Sequence, residues 1–221
     1  MPNTQQNSSR TLGVIILTGG HSQRMGRPKW SLPFGNETLL QRTVTACCQI
    51  SEEVVIAASD TQQYPDAVQL PTIIRDKQSD RGPLEGIRGG LEFLHQQGFE
   101  WGFVTACDVP NLAPQVANFL LQHSDGFEAV IPCRDDRIYG MTAIYKCKFH
   151  TRIESLIEKR KLRVSQLAEL FYSRMLPAES IRSVDNDLDS LTNLNYPEQY
   201  LAALNKLKLD PPTGFSESTR N

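Results

Sequence analysis

Cysteine and histidine are scarce in this 221-residue sequence, and neither clusters as zinc ligands do. The five cysteines are odd in number and include no Cys-x-x-Cys pair, while the four histidines are widely scattered. This usage predicts reduced thiols and a cytoplasmic location rather than a disulfide framework. Any metal chemistry is then expected to use carboxylates.

Long apolar runs and a charge excess are also missing. Apolar runs are short, as in Val14–Leu17, whereas a membrane-spanning helix needs about 20 apolar residues. The first residues show no basic segment followed by an apolar core, so we expect no secretory signal. Lys and Arg total 23 against 25 Asp and Glu. This near-balance predicts that neither nucleic acid nor a membrane surface is a partner.

The sequence nevertheless has enough apolar residues, 39%, to form a packed core. Its length suits a single domain. Both ends are polar and lack periodicity, and the C-terminal end also contains two adjacent prolines. We therefore expect one domain over residues 11–208, with mobile tails over 1–10 and 209–221.

Between the ends, short β-branched runs alternate with helical patterns. Strands are predicted at 12–17, 54–57, 68–74, 101–106, 127–133, 141–145 and 181–184. Helices are predicted at 38–50, 83–97, 114–123, 147–159, 164–171 and 196–206. This order indicates an α/β fold in three layers, a mostly parallel sheet with helices on both faces. Ligands are expected at the carboxyl edge of the sheet, where the strand order reverses.

The loop after the first strand is the most informative segment. It combines small residues, a hydroxyl and two cations: Gly19, Gly20, Ser22, Arg24 and Lys29. Glycines let a ligand approach the backbone closely, and successive N–H groups can form a concave anion site. The spacing is neither a P-loop nor G-x-G-x-x-G. A polyphosphate site is therefore predicted here, the alternative being a glycine turn with solvated basic residues.

The string Leu17-Thr-Gly-Gly-x-Ser-x-Arg-Met-Gly-x-x-Lys29 resembles the signature of nucleotidyltransferases of the molybdenum cofactor guanylyltransferase type. In that family the loop wraps the triphosphate of the incoming nucleotide. Thr18 stands where relatives usually have alanine, and Pro28 stands where many have aspartate. A Pro-Lys ending also occurs in cytidylyltransferases and sugar-nucleotide enzymes of the same superfamily. The resemblance covers about residues 12–204 and implies a nucleotide-diphospho-sugar transferase-like, Rossmann-like fold.

A second motif, Phe103-Val-Thr-Ala-Cys-Asp-Val-Pro110, carries a predicted strand into Asp108. A carboxylate at a strand's carboxyl end lies beside the ligand crevice. One such carboxylate suffices for Mg²⁺ when substrate phosphates and waters supply the other oxygens. The Cys-Asp-x-Pro form resembles the family's magnesium-binding turn, which implies that Asp108 is the metal ligand. The alternative is an aspartate that only caps a turn.

Asp76 ends the third predicted strand and is followed by Gly82-Pro-Leu-Glu-Gly86. A loop entering a helix offers free N–H groups to a second phosphate or to a base. The family typically shows Gly-Pro-Leu-Ala-Gly, so Glu85 replaces an alanine and is expected to repel an anion placed beside it. The resemblance implies that Asp76 contacts the nucleotide, the alternative being a structural turn residue.

Near the C-terminus, Leu191-Thr-Asn-Leu-Asn-Tyr-Pro-Glu198 resembles the family's Asn-x-Asn-Thr-Pro-Glu. Its paired amides have both donors and acceptors for a pterin or a phosphate; a structural turn is the alternative. The charged segment at 134–137 is expected to be a solvated hairpin. Relatives often carry a base-contacting asparagine at the position of Ala57, so the base is selected by main chain and Asp76, or it is not guanine.

Taken together, these motifs predict an enzyme that transfers GMP from GTP to the phosphate of a molybdenum-pterin cofactor, releasing pyrophosphate. The predicted catalytic residues are Arg24, Lys29 and Asp108, with Mg²⁺ on Asp108. The predicted nucleotide-binding residues are Leu17, Thr18, Gly19, Gly20, Ser22, Lys29, Asp76 and Asp108. The predicted acceptor-binding residues are Gly82, Pro83, Leu84, Asn193 and Asn195.

Two alternatives remain open at this point. One is a related nucleotidyltransferase that uses CTP, or a sugar or other phosphate as acceptor. The other is a non-catalytic nucleotide-binding homologue. For the guanylyltransferase, transient contact with molybdoenzyme maturation proteins is also expected.

Overall fold

The computed structural model describes residues 10–19, 25, 27–64, 71–77 and 81–212. The strands in these residues are β1 (Arg10–Leu17), β2 (Pro33–Phe34), β3 (Glu37–Thr38), β4 (Val54–Ala58), β5 (Thr72–Arg75), β6 (Phe99–Ala106), β7 (Ala129–Arg134), β8 (Arg137–Ile138), β9 (Ala143–Lys146) and β10 (Ser173–Pro177). The helices are α1 (Leu39–Cys47), α2 (Pro83–Gln96), α3 (Gln115–Gln122), α4 (His150–Glu158), α5 (Leu167–Leu170) and α6 (Pro197–Lys206).

Eight strands form the main sheet, in the order β10-β7-β9-β6-β1-β4-β5, with β8 paired to β7. In the described part of this sheet, β8 and β9 run antiparallel to their neighbours β6 and β7, and the other pairs are parallel. The separate β2–β3 hairpin was not predicted. The mostly parallel α/β sheet is confirmed.

Strand β1 shows why the fold has three layers, with the sheet in the middle. Ile15 faces α2, because a Cβ built on Gly90 of that helix would lie 2.6 Å from the Ile15 Cγ2. Val14 and Ile16 point to the opposite face and are also fully buried. Both faces are therefore covered, as expected for a strand without a polar residue in its buried stretch.

The strand order reverses next to β1. Leu17, its last residue, pairs with Ala57 of β4 on one side and Ala106 of β6 on the other. The chain runs from β1 to β4 and β5, then returns to the other side of β1 as β6. The segments after β1 and β6 therefore leave the carboxyl edge side by side, where ligands bind in such sheets.

The strand predicted at 181–184 is wrong. A 3₁₀ helix, Ala178–Ser183, occupies this position and buries Ile181 in the core. The final strand is instead β10, which pairs in parallel with β7 at the edge of the sheet. Its sequence, Ser-Arg-Met-Leu-Pro, has only two strongly apolar residues, since an edge strand buries less side-chain surface than a central one.

Other boundaries differ by a few residues. Strand β5 begins at Thr72, and residues 68–70 of the predicted strand lie outside the described part of the chain. The division into one domain and two tails stays a prediction, because residues 1–9 and 213–221 also lie outside it. Among the described helices, none is long and apolar enough to cross a membrane.

Candidate functional site

Asp108 lies just beyond β6 at the carboxyl edge of the sheet. The residue is 6% exposed. The backbone N–H of Cys107 donates to the carbonyl of Leu17 at 3.0 Å, which ties the start of this turn to the end of β1. Burial and the Asp108 charge raise the pKa of the Cys107 thiol, so this cysteine is a core residue and not a nucleophile.

Lys29 reaches Asp108 from the loop after β1. A 3₁₀ turn, Lys29–Ser31, follows Pro28, whose carbonyl accepts from the Ser31 N–H at 3.1 Å and the Ser31 hydroxyl at 2.9 Å. The turn directs the Lys29 ammonium to the carboxylate, and Nζ lies 2.6 Å from the Asp108 Oδ2. The Pro-Lys sequence thus begins the turn that brings the cation to the carboxylate.

Two asparagines complete this cluster. The Asn193 amide donates to Asp108 Oδ1 at 2.7 Å, and Asn195 Oδ1 accepts from Lys29 Nζ at 2.8 Å. The intervening Leu194 N–H donates to the Asp108 carbonyl at 2.9 Å. Four predicted residues from three distant segments of the sequence therefore form one polar cluster that spans the reversal in strand order.

Thr18 takes part in a chain of hydrogen bonds beside this cluster. Its hydroxyl donates to the Ala57 carbonyl at 3.0 Å and accepts from the Tyr64 hydroxyl at 2.6 Å. Gln62 donates to the Tyr64 oxygen at 2.9 Å, and Trp30 packs edge-on against the Tyr64 ring. Burial raises the pKa of Tyr64 to about 12, so the phenol keeps its proton. Tyr64 was not predicted; Thr18 in the usual alanine position was its only sequence signal.

Asp76 lies at the end of β5, over the first turn of α2. An ideal Cβ on Gly86, in that turn, would lie 3.9 Å from the Asp76 Oδ1. Burial, then the charges of Glu85 and Asp60, raise the pKa of Asp76 from 3.8 to about 6, against the opposing effect of Arg88. Within the described chain, Asp76 is not among the side chains that contact Lys29 or Asp108.

Glu85 is less repulsive to an anion than its sequence position indicates. Both Glu85 and Arg88 are 4% exposed, and the guanidinium binds the carboxylate through two hydrogen bonds of 2.7 and 3.0 Å. Glu85 Oε1 also accepts from the Lys77 N–H at 3.2 Å. The expected repulsion is therefore largely compensated, and Glu85 instead joins α2 to the turn that carries Asp76.

The predicted Gly82–Leu84 segment forms the start of α2. Gly82 has φ +63°, a conformation that favours glycine, and Pro83 occupies the first turn. The Leu84 side chain is fully buried in the core, so this residue offers a ligand only its backbone. An ideal Cβ on Gly82 would lie 3.9 Å from the carbonyl oxygen of Leu162, so the start of this segment packs near the chain that follows α4.

Three other predicted residues, Gly20, Ser22 and Arg24, lie outside the described residues. Gly19 lies inside, and an ideal Cβ there would approach Ser59 N at 3.9 Å. No group of three or more His, Cys, Asp or Glu side chains that could hold a metal occurs in the described residues. The hard oxygens of Asp108, Asn193 and Asn195 nevertheless suit Mg²⁺ when phosphates supply further ligands.

Comparison with known proteins gives a consistent family match. The family model described as "MobA-like NTP transferase domain" matches residues 14–171. A probable molybdenum cofactor guanylyltransferase from Methanosarcina mazei is 31% identical over 207 residues, covering 88% of this chain and 89% of the relative. One from Bacillus mycoides is 27% identical over 193 residues, covering 86% and 94% respectively.

Solved structures show the same fold. Molybdopterin-guanine dinucleotide biosynthesis protein A from Archaeoglobus fulgidus superposes with a TM-score of 0.75 at 22% identity, covering 89% of this chain and 98% of that one. The 2-C-methyl-D-erythritol 4-phosphate cytidylyltransferase from Thermus thermophilus gives 0.61 at 12% identity, covering 88% and 98%. The nucleotide-diphospho-sugar transferase-like fold is thus shared by proteins with different substrates.

Proposed function

This chain belongs to the MobA-like NTP transferase family, and we propose that it transfers GMP from GTP to the phosphate of a molybdenum-pterin cofactor. Pyrophosphate is the second product. The observation that supports this most directly is the 2.6 Å contact between Lys29 and Asp108, with Asn193 and Asn195 on the same two groups. A cation and a carboxylate at the strand-order reversal match the needs of a nucleotidyltransferase.

The loop after β1 is proposed to bind the triphosphate. The backbones of Leu17, Thr18 and Gly19 lie at the carboxyl edge, and Lys29 supplies positive charge there. A triphosphate oxygen would compete with Asp108 for the Lys29 ammonium. The ammonium would then stabilise the charge that develops on the departing pyrophosphate. The proposed contributions of Gly20, Ser22 and Arg24 rest on the sequence.

The acceptor is proposed to approach from the side of Asn193 and Asn195. An oxygen of its phosphate attacks the α-phosphorus, forming a new P–O bond as the bond to the β-phosphate oxygen breaks. A phosphate monoester has a second pKa near 6, so the attacking group needs no general base at neutral pH. The chain's contribution is then to position two anions and to compensate their charge.

We propose that Asp108 holds Mg²⁺ during this reaction. Both carboxylate oxygens are already hydrogen-bonded, one to Lys29 and one to Asn193, so their direction is fixed. When bound, the ion supplies positive charge against the phosphates of both substrates. Transfer of the Lys29 ammonium from Asp108 to a phosphate oxygen would make Asp108 Oδ2 accessible to the cation.

The base is proposed to lie between Asp76 and the end of β4, where an ionised carboxylate would accept the adjacent N–H donors of guanine. A cytidylyltransferase is the second candidate, because Ala57 has no side-chain amide and is 3% exposed. The Ala57 carbonyl oxygen accepts from both the N–H and the hydroxyl of Thr18. Both of its lone pairs are thus used, and it has no further hydrogen bond to offer a base.

The proposal is tested by incubating the protein with Mg²⁺, molybdenum-pterin cofactor and each of the four ribonucleoside triphosphates. We expect pyrophosphate release with GTP and a guanine dinucleotide product by mass spectrometry. A cytosine dinucleotide formed preferentially with CTP would support the second candidate. Absence of product with every triphosphate would contradict both and favour a non-catalytic homologue.

The cellular setting is also part of this proposal. All five cysteines are free, which suits the reducing cytoplasm. Because the product is a cofactor, we propose that it passes to molybdoenzyme maturation proteins by transient contact.

A further inference from the structure

A cavity of about 310 Å³ adjoins the Lys29–Asp108 cluster. Asn193 and Asn195 line it, and these are the residues that contact Asp108 and Lys29. Its lining also contains three arginines, Arg134, Arg137 and Arg182, and one carboxylate, that of Asp187, which pairs with Lys206. The cavity therefore extends from the reacting end of the site toward a cationic surface.

Two of these arginines share one carboxylate of the protein itself. Glu179 accepts from Arg134 and also from Arg182, the latter at 2.5 Å. This carboxylate thus links the β7–β8 hairpin to the 3₁₀ helix that follows β10.

Arg137 is different, because in the described residues no carboxylate pairs with it. Its guanidinium lies 4.7 Å from the centre of the Tyr139 ring. Arg134 and Arg137 are also direct cross-strand partners in the β7–β8 pair. Like charges opposite each other destabilise a hairpin, and Glu179 compensates only one of them. An anion beside Arg137 would compensate the other.

We propose that this cavity binds the part of the acceptor beyond its phosphate, and that Arg137 selects an acceptor whose distal part is anionic. This inference rests on the proposed function, which places the acceptor phosphate at the Asp108 end. The ligand class is a phosphate monoester with a second anionic or electron-rich group at its far end. The segment at 134–137, expected to be a solvated hairpin, then has a binding role.

The test compares Arg137→Gln and Arg137→Lys with wild type. Arg152→Gln is the control, because Arg152 pairs with Glu128 before β7, at the other end of that strand. Binding of the molybdenum-pterin cofactor is measured without turnover by fluorescence titration, and KM values for the cofactor and for GTP are measured separately. Because a charge-assisted contact is lost, we expect Arg137→Gln to weaken cofactor binding about tenfold.

The GTP KM should change less than about twofold, Arg137→Lys should retain part of the affinity, and Arg152→Gln should resemble wild type. Added salt should weaken cofactor binding less in Arg137→Gln than in wild type, a difference that lost structure alone would not produce. Equal cofactor affinity in wild type and Arg137→Gln would overturn the inference, even with full turnover. Cofactor binding that depends on Arg137 without pyrophosphate release would contradict the proposed function alone. Absence of cofactor binding by wild type would overturn both.

Discussion

The Lys29 ammonium and the Asp108 carboxylate meet at 2.6 Å although 79 residues separate them in the sequence. Each follows a strand that borders the reversal in strand order, β1 for Lys29 and β6 for Asp108. The contact thus depends on the sheet topology and is absent from the unfolded chain. The Lys29 ammonium would attract a nucleotide phosphate, and the Asp108 carboxylate would attract a divalent cation.

Asp108→Asn keeps the shape of the side chain and removes its charge. We expect Mg²⁺-dependent pyrophosphate release to fall at least about a hundredfold, which corresponds to about 2.7 kcal/mol in the activation barrier. Asp125→Asn, at an exposed turn, is the control. Initial rates at saturating GTP and acceptor measure the effect. Undiminished release by a folded Asp108→Asn protein would remove Asp108 from the mechanism.

Lys29→Ala removes the cation proposed to bind the departing pyrophosphate. Turnover with GTP should fall about tenfold or more, since a charge-assisted hydrogen bond to phosphate is lost. Lys148→Ala, at an exposed residue beside Phe149, should behave as wild type. Steady-state kinetics at varied GTP separate KM from kcat. Wild-type values for Lys29→Ala would be incompatible with the phosphate assignment.

Asp76 predicts a pH dependence, because its pKa of about 6 lies above its ordinary value. In nucleotide binding, protonation removes the acceptor charge, so GTP affinity should fall as the pH drops from 7 to 5. Phosphate groups titrate in the same range, and Asp76→Asn corrects for this because only the contribution of Asp76 disappears. Isothermal titration of both proteins across this range is the measurement. Parallel pH profiles would contradict the assignment.

The same carboxyl affects stability in a direction that follows from linkage. Between pH 4 and 6 the folded protein holds the Asp76 proton more tightly than the unfolded chain does. Stability contributed by this group is therefore present at low pH and is lost as the pH rises toward 6. Asp76→Asn should gain stability relative to wild type over this interval, as measured by urea unfolding. A constant difference across the interval would count against the raised pKa.

The sequence was sufficient to predict that the segments carrying Lys29 and Asp108 meet at the carboxyl edge of the sheet. Buried strands ending at Leu17 and Ala106 are recognisable from continuous apolar runs, and strand ends share an edge in a parallel sheet. The sequence pattern alone therefore predicts that Lys29 and Asp108 lie close together. Strand β10 could not be predicted in this way, because an edge strand with few apolar residues has a weak pattern.

Other features depend on tertiary packing and leave little trace in the sequence. Tyr64 lies in irregular chain after β4, where no periodicity indicates which way a side chain points. Glu85 and Arg88 are visible as a pair three residues apart, but their burial is not. Arg137 occupies a polar hairpin whose sequence alone resembles any solvated turn.

Glu85→Ala restores the residue that the related motif usually carries and should destabilise this protein. Among the described residues, the change leaves the buried Arg88 with Glu92 as its remaining carboxylate partner, at 2.8 Å. Removing one member of a buried pair typically costs about 3–5 kcal/mol, and the remaining contact places our expectation near the lower value. Urea unfolding of Glu85→Ala and of Glu85→Ala/Arg88→Met measures it. The double variant should be the more stable of the two; a single variant as stable as wild type would refute the prediction.

Thr18 and Tyr64 form the contact best suited to a double-mutant cycle. Thr18→Val preserves the shape of the side chain but removes the hydroxyl that joins Tyr64 to the Ala57 carbonyl. Tyr64→Phe removes the other partner of the same bond. Each variant should lose about 1 kcal/mol of unfolding free energy, the usual net value of one hydrogen bond. Because both changes break one interaction, the double variant should lose less than the sum. Additive losses in urea unfolding would show that the two hydroxyls stabilise the protein independently.

The same two single variants also test whether this bond affects nucleotide binding. The GTP KM should rise in both if the bond holds the loop of residues 59–64 beside Gly19. An unchanged KM would limit the bond to a structural role.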